Sequence, residues 1–283
     1  MSRRRGEWGR FALAAALLCP VVPARAVPPA PGGRYVAMGS SFAAGPGIGM
    51  PDAASGACAR SRSNYARIVA ERFRLALADV SCSGAETADI LGRRQFGFPP
   101  QIEAVTADTA LVTVLIGGND LFYMGNLFGL SCRDTGGTGC PILPDAEVER
   151  RFAALPGSLH AVLAAVRRRA PAARVVMVGY LPVLPADGTK PCSGVPLTDA
   201  DAHRMRAVAT RLGRVIAAVA ADTGTELVPA AAIGAGHDAC AADPFMAGWR
   251  PPVTPGWPRP VAYHPNQAAM DRIAGALEAV LER

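Results

Sequence analysis

Ala110-Leu111-Val112-Thr113-Val114-Leu115-Ile116 is an unbroken apolar run, rich in β-branched residues, that stops at Gly117-Gly118. A short run without polar alternation, bounded by glycine, reads as a strand buried on both faces of a parallel sheet. Tyr35 to Met38, ending at Gly39, has the same character, as do Arg174 to Tyr180 and Thr225 to Val228. Asp79 to Cys82 is a shorter and weaker fifth strand. Helical periodicity fills the intervals: Asn64 to Ala78 with Asn64 as cap, Asp145 to Ala170, Asp199 to Asp222 after a Thr198 cap, and Asn266 to Leu281. Pro156-Gly157 is expected to kink or divide the second of these. Strands alternating with helices predict an α/β fold on a central, mostly parallel five-stranded sheet. No internal repeat or linker interrupts it, so one domain is expected.

Two segments lack periodicity, Phe122 to Leu143 and Ala241 to Pro260. Long irregular segments of this kind are commonly functional loops, and both are expected over the carboxyl end of the sheet. Phe122, Tyr123, Met124, Leu127, Phe128, Phe245, Met246, Trp249 and Trp257 are their large apolar residues. These either line a pocket for an acyl group or pack beneath the loops as satellite core.

The amino terminus has its own pattern. Arg3, Arg4, Arg5 and Arg10 precede the apolar run Phe11 to Cys19, and Ala24-Arg25-Ala26 follows. A basic region, a short apolar core and a small-x-small site describe a secretory signal peptide over residues 1–26, with residues 27–283 as the mature chain. The apolar run falls far short of the ~20 residues that cross a bilayer, so no stable span is expected once the leader is gone. The leader holds five arginines and one glutamate, so its removal takes the net charge from +6 to +2. No basic stripe with interleaved aromatics remains, which argues against nucleic acid as a partner. A monomer in an extracellular or periplasmic compartment is expected.

Six cysteines lie beyond the leader: Cys58, Cys82, Cys132, Cys140, Cys192 and Cys240. An even count in an exported chain reads as disulfides, and six cysteines allow fifteen pairings. The expectation is pairing in sequence order, 58 with 82, 132 with 140 and 192 with 240. There is no Cys-x-x-Cys pair, and no metal is expected.

Gly39-Ser40-Ser41 places two hydroxyls at the carboxyl end of the first strand. Acyl transfer needs such a hydroxyl, a base for its proton, and donors for the developing oxyanion. His160 and His203 fall inside helix patterns, and His237 sits close to Cys240, so structural roles suit them. His264, in the loop Tyr263-His264-Pro265-Asn266 that feeds the last helix, is free to approach the first strand. Gly84 and Asn119 each lie just past a strand, where either an ordinary turn or an oxyanion donor fits.

Met38-Gly39-Ser40-Ser41-Phe42-Ala43-Ala44-Gly45, Gly84, Gly117-Gly118-Asn119-Asp120 and His264-Pro265-Asn266 resemble, in order and spacing, the four blocks of the SGNH (GDSL-type) hydrolases. The cysteines and the Tyr-His-Pro-Asn ending are most similar to the secreted actinobacterial esterase and lipase branch. The resemblance implies a three-layer α/β/α flavodoxin-like fold and hydrolysis of carboxylic esters without a cofactor. It also implies Ser41 as nucleophile, His264 as base, and an oxyanion hole from the Ser41 and Gly84 N–H groups and the Asn119 side chain. Two departures stand out. Ser40 replaces the family's aspartate before the nucleophile, and Val261 occupies the position of the aspartate that usually supports the histidine. The Val261 backbone carbonyl is the expected substitute, with Asp243 and Asp238 as the carboxylates to test first for a supporting role. The function expected is an esterase or lipase acting on small-molecule or lipid acyl esters. An esterase for acetylated polysaccharide, and a non-catalytic binding protein on the same fold, are the alternatives.

Overall fold

The computed structural model describes residues 28–251 and 256–283. The expected leader lies outside the described residues. Five strands, β1 (Arg34–Gly39), β2 (Ala76–Asp79), β3 (Thr109–Leu115), β4 (Arg174–Val178) and β5 (Glu226–Val228), form one sheet in the order β2-β1-β3-β4-β5. All four pairings are parallel, so the sheet is parallel throughout rather than mostly so. Its interior strands are buried along nearly their whole length, which is why they carry no polar alternation. The helices are α1 (Ser41–Ala44), α2 (Tyr65–Phe73), α3 (Thr87–Leu91), α4 (Tyr123–Asp134), α5 (Asp145–Arg169), α6 (Asp199–Asp222), α7 (Ala230–Ile233) and α8 (Gln267–Leu281). Helix α2 packs on α8, and α5 packs on α3 and α6, giving the helical layers on either side of the sheet.

The expected caps of α2, α6 and α8 are in place. Asn64, Thr198 and Asn266 each accept a hydrogen bond from a backbone N–H of the first turn. Several boundaries differ from expectation. Helix α2 stops at Phe73, not Ala78, because Arg74 takes a left-handed conformation (φ +55°) and returns its N–H to the last turn. The chain then enters β2 three residues earlier than Asp79. Ala76-Leu77-Ala78 favours helix by itself, and pairing with β1 overrides that preference. Pro156 does not divide α5, whose apolar face (Val148, Phe152, Leu155, Leu159, Val162, Val166) stays packed through it.

The first half of the Phe122 to Leu143 stretch is also not a loop, whereas residues 135–143 are irregular as expected. It forms α4, and its two glycines, weak helix formers, are there for close approach. A Cβ on Gly129 would lie 2.0 Å from the Pro141 carbonyl oxygen, and one on Gly125 2.3 Å from the Phe122 ring. The chain just past the Cys132–Cys140 disulfide thus lies directly on the helix. Cys58–Cys82 and Cys192–Cys240 are the other two bridges.

Candidate active site

Strand β1 ends at Gly39 (φ +149°), where a Cβ would lie 2.4 Å from the Leu115 carbonyl oxygen of β3. Only glycine allows the two strand ends to approach this closely. The Ser40 N–H then donates to Leu115 O at 3.0 Å, and Ser41 opens the short helix α1. On the β2 side, where Cys82 N also donates to Gly39 O at 3.0 Å, the Gln101 side chain brackets the Gly39 backbone. Its Oε1 accepts from Gly39 N at 2.8 Å and its Nε2 donates to Gly39 O at 3.0 Å. The backbone leading into the nucleophile candidate is therefore held by hydrogen bonds on both sides. Ser40 is buried, with its side chain against the Tyr180 phenol rather than His264.

His264 Nε2 lies 2.7 Å from Ser41 Oγ, across 223 residues of sequence. Its Nδ1 donates to the Ala262 carbonyl at 2.8 Å. This corrects the expected partner by one residue. The Val261 carbonyl accepts the His264 backbone N–H at 3.1 Å instead, closing a turn in which Tyr263 is left-handed (φ +58°). The turn folds the imidazole back over residue 262. Ala262 O accepts only, so Nδ1 carries the proton and Nε2 presents its lone pair to the serine. Among the described residues no carboxylate pairs with His264. Asp238 accepts from Cys240 N, and Asp243 lies beside His237, whose ring stacks on Phe245 at 4.0 Å.

Aromatic rings surround the imidazole: Phe42 at 5.2 Å and Phe128 at 6.1 Å, with Tyr263 and Trp249 beyond. The loop is held by Tyr263 N to Ala247 O at 2.8 Å and Ala247 N to His264 O at 2.9 Å, and the Tyr263 hydroxyl meets Ser131 Oγ of α4 at 2.6 Å. Only 4% of His264 is exposed. That burial pushes its pKa from 6.5 down to about 4, while the bond to the Ala262 carbonyl opposes the shift. The imidazole is therefore neutral at pH 7, and among the described residues no carboxylate stands beside it to favour the charged form.

Gly84 (φ +82°) is the third residue of a tight turn closed by Ala85 N to Cys82 O at 3.0 Å. Among the described residues neither its N–H nor that of Ser41 donates to a protein acceptor. Asn119 Nδ2 donates one hydrogen to Ala85 O at 3.0 Å, which fixes the amide and leaves its second N–H free. Ser41, Gly84, Asn119 and His264 line one small cavity of about 170 Å³, together with Val261, Met124 and Phe128. Gly84, Asn119, Met124 and Phe128 also border a larger cavity of about 890 Å³ that runs over α4 to the Cys132–Cys140 segment. Of the aromatic and apolar loop residues, Phe122, Met124, Phe128 and Trp249 line it. Tyr123, Leu127, Phe245 and Met246 are core instead. Three contributions were not visible in the sequence: the Gln101 clamp, the Ala262 carbonyl and the ring of Phe42. Each depends on long-range packing.

Known proteins match this geometry and sequence. The model of the GDSL-like Lipase/Acylhydrolase family matches residues 37–272. The chain is 34% identical over 254 residues to Lipase 2 of Streptomyces coelicolor, covering 85% of this chain and 83% of that protein. It is 32% identical over 239 residues to a lipase of Streptomyces rimosus, covering 82% and 80%. Phospholipase A1 from Streptomyces albidoflavus NA297 is similar in structure, with a TM-score of 0.70 at 28% identity over 88% of this chain and 99% of that one. An acetylxylan esterase from Geobacillus stearothermophilus, at 14% identity and a TM-score of 0.52, shares the fold alone. With its family model matched over most of its length, the chain belongs to the GDSL-like lipase/acylhydrolase family and is a carboxylic ester hydrolase.

Proposed function

We propose that Ser41 and His264 carry the ester hydrolysis as a dyad supported by the Ala262 carbonyl, on esters whose acyl chain occupies the 890 Å³ cavity. The observation that carries this reading is the 2.7 Å contact between Ser41 Oγ and His264 Nε2 at the edge of that apolar space. Ser41 Oγ attacks the ester carbonyl carbon as Nε2 takes its proton. The oxyanion that forms accepts from Ser41 N–H, Gly84 N–H and Asn119 Nδ2–H. Collapse expels the alcohol, which leaves with the proton from Nε2. Water then attacks the acyl-serine by the same route in reverse, and Ser41 regains its proton. The three disulfides support export of the chain, and the S. rimosus lipase whose structure it resembles is extracellular.

The cavity's apolar walls favour acyl esters over acetylated sugars, whose hydroxyls would be left unpaired there. With p-nitrophenyl esters, kcat/KM is expected to rise from acetyl to octanoyl by tenfold or more, mostly through KM. Each methylene moved out of water is worth ~0.8 kcal/mol before strain and ordering are deducted. A preference for acetyl over octanoyl would sink the acyl assignment.

The buried imidazole sets the pH dependence. The base form of His264 persists down to about pH 4. On a soluble ester, kcat/KM is expected to stay level from neutrality to about pH 5 and then fall with an apparent pKa near 4. A limb at the ordinary 6.5 would refute a neutral, desolvated base. Stability follows the same sign. Between 6.5 and about 4 the unfolded chain binds a proton at this residue that the folded chain does not, so stability declines as pH falls through that window.

A further inference from the structure

Among the described residues two large apolar side chains stand in solvent, Met50 at 68% and Phe96 at 60% exposure. They lie on neighbouring loops at the mouth of the active site. Met50 O accepts the Arg62 N–H at 2.8 Å, in the segment that leaves α1 through Pro46, a residue lining the catalytic cavity. Phe96 is at the tip of the turn Gln95 to Phe98, and the Gln95 side chain donates to Ser83 O at 2.8 Å, beside Gly84. Arg60 joins the two loops. Its carbonyl accepts from Asp52 N at 2.8 Å, and its guanidinium lies over the Phe98 ring at 5.8 Å.

Phe96 is held at φ +51° and Gly97 at +85°. Turns with two positive φ values ordinarily carry Asn-Gly, and a bulky residue there is strained. An exposed phenylalanine at this position costs backbone energy and buries little in return, so the fold by itself does not account for it. Cations accompany the two side chains. Arg62 is paired to Met50 through its backbone N–H, Arg94 stands two residues before Phe96, Arg259 lies on the segment whose backbone packs against Gly47 of the Met50 loop, and Arg250 follows Trp249, which lines the larger cavity. All four are exposed, and among the described residues none pairs with a carboxylate, whereas the adjacent Arg93 pairs with Glu86 and Asp89.

We propose that this rim is a docking face for an anionic lipid surface, with Met50 and Phe96 inserting and Arg62, Arg94, Arg250 and Arg259 meeting the head groups. The proposal rests on the acyl-ester reading of the site. Apolar side chains ringed by unpaired cations match an interface with an apolar interior and negative head groups. Docking there turns the mouth of the cleft towards acyl chains. No helix among the described residues is long and apolar enough to cross a membrane, so the contact is peripheral.

Co-sedimentation with vesicles tests this, using Ser41→Ala protein so that the lipid stays intact. Binding is expected to vesicles of phosphatidylcholine containing 30% phosphatidylglycerol, to be weaker on pure phosphatidylcholine, and to fall as salt rises from about 0.05 to 0.5 M. The Met50→Ser/Phe96→Ser pair is expected to lower the partition coefficient roughly tenfold. Each of Arg62→Gln and Arg94→Gln lowers it roughly fivefold. In proteins retaining Ser41, the same substitutions leave kcat/KM on soluble p-nitrophenyl butyrate unchanged while vesicle hydrolysis drops. Equal binding to neutral and anionic vesicles, no binding to either, or indifference to the substitutions would overturn the proposal. So would a dimer that Met50→Ser/Phe96→Ser dissociates, since a second copy would then be the occupant. Loss of activity on the soluble ester in the unmodified protein would instead refute the function proposed above.

Discussion

Ser41→Ala and His264→Ala are each expected to reduce kcat on p-nitrophenyl butyrate by 10⁴-fold or more, and the double variant by no more than either alone. Nucleophile and base act as one unit: without the base the serine keeps its proton, and without the serine the base has nothing to activate. The residual rate, on the order of 10³ to 10⁴ over water, belongs to the oxyanion donors and substrate binding, which neither substitution removes. Ser40→Ala beside these proteins is the discriminating control. Ser40 is buried against Tyr180 while Ser41 meets Nε2 at 2.7 Å, so Ser40→Ala retains most of the activity. Additive losses in the double variant, or activity that follows Ser40, would show that the dyad is misassigned.

Asn119→Asp is expected to cost more than Asn119→Ala, although it is nearly isosteric. Removing one oxyanion donor costs about 10²- to 10³-fold in kcat. The aspartate also places a carboxylate oxygen 3.0 Å from the Ala85 carbonyl, where Nδ2 now donates, and aims negative charge at the developing oxyanion. The expected loss exceeds 10³-fold in kcat with little change in KM, because the donor acts on the transition state rather than the bound ester. Steady-state kinetics on a soluble ester separate the two. A loss confined to KM would mean that Asn119 binds substrate and does not stabilise the oxyanion.

Much of the fold was legible because its determinants are local. Continuous apolar runs ending in glycine marked β1, β3 and β4, since strands buried on both faces have little place for polar residues. Asn64, Thr198 and Asn266 marked helix starts because a cap acts within its own turn. The illegible parts were those where distant contacts outweigh local preference. Ala76 to Ala78 became an edge strand because β1 offered a ladder, and α4 tolerates Gly125 and Gly129 because Phe122 and Pro141 occupy the space beside them.

At the site the same division holds. The sequence alone determined which residue types stand past which strands: a serine after β1, a glycine after β2, an asparagine after β3 and a histidine before α8. The order of the blocks already pointed to Ser41 over Ser40, and tertiary structure decided that Ala262 and not Val261 holds the imidazole that Ser41 faces. It also decided that Phe42 and Phe128 strip it of water. A carbonyl's direction depends on the backbone turn that carries it. That turn is set by Ala247, paired with the chain on either side of the Tyr263–His264 peptide, and by Ser131 of α4. No reading of residues 261–264 by themselves contains those partners.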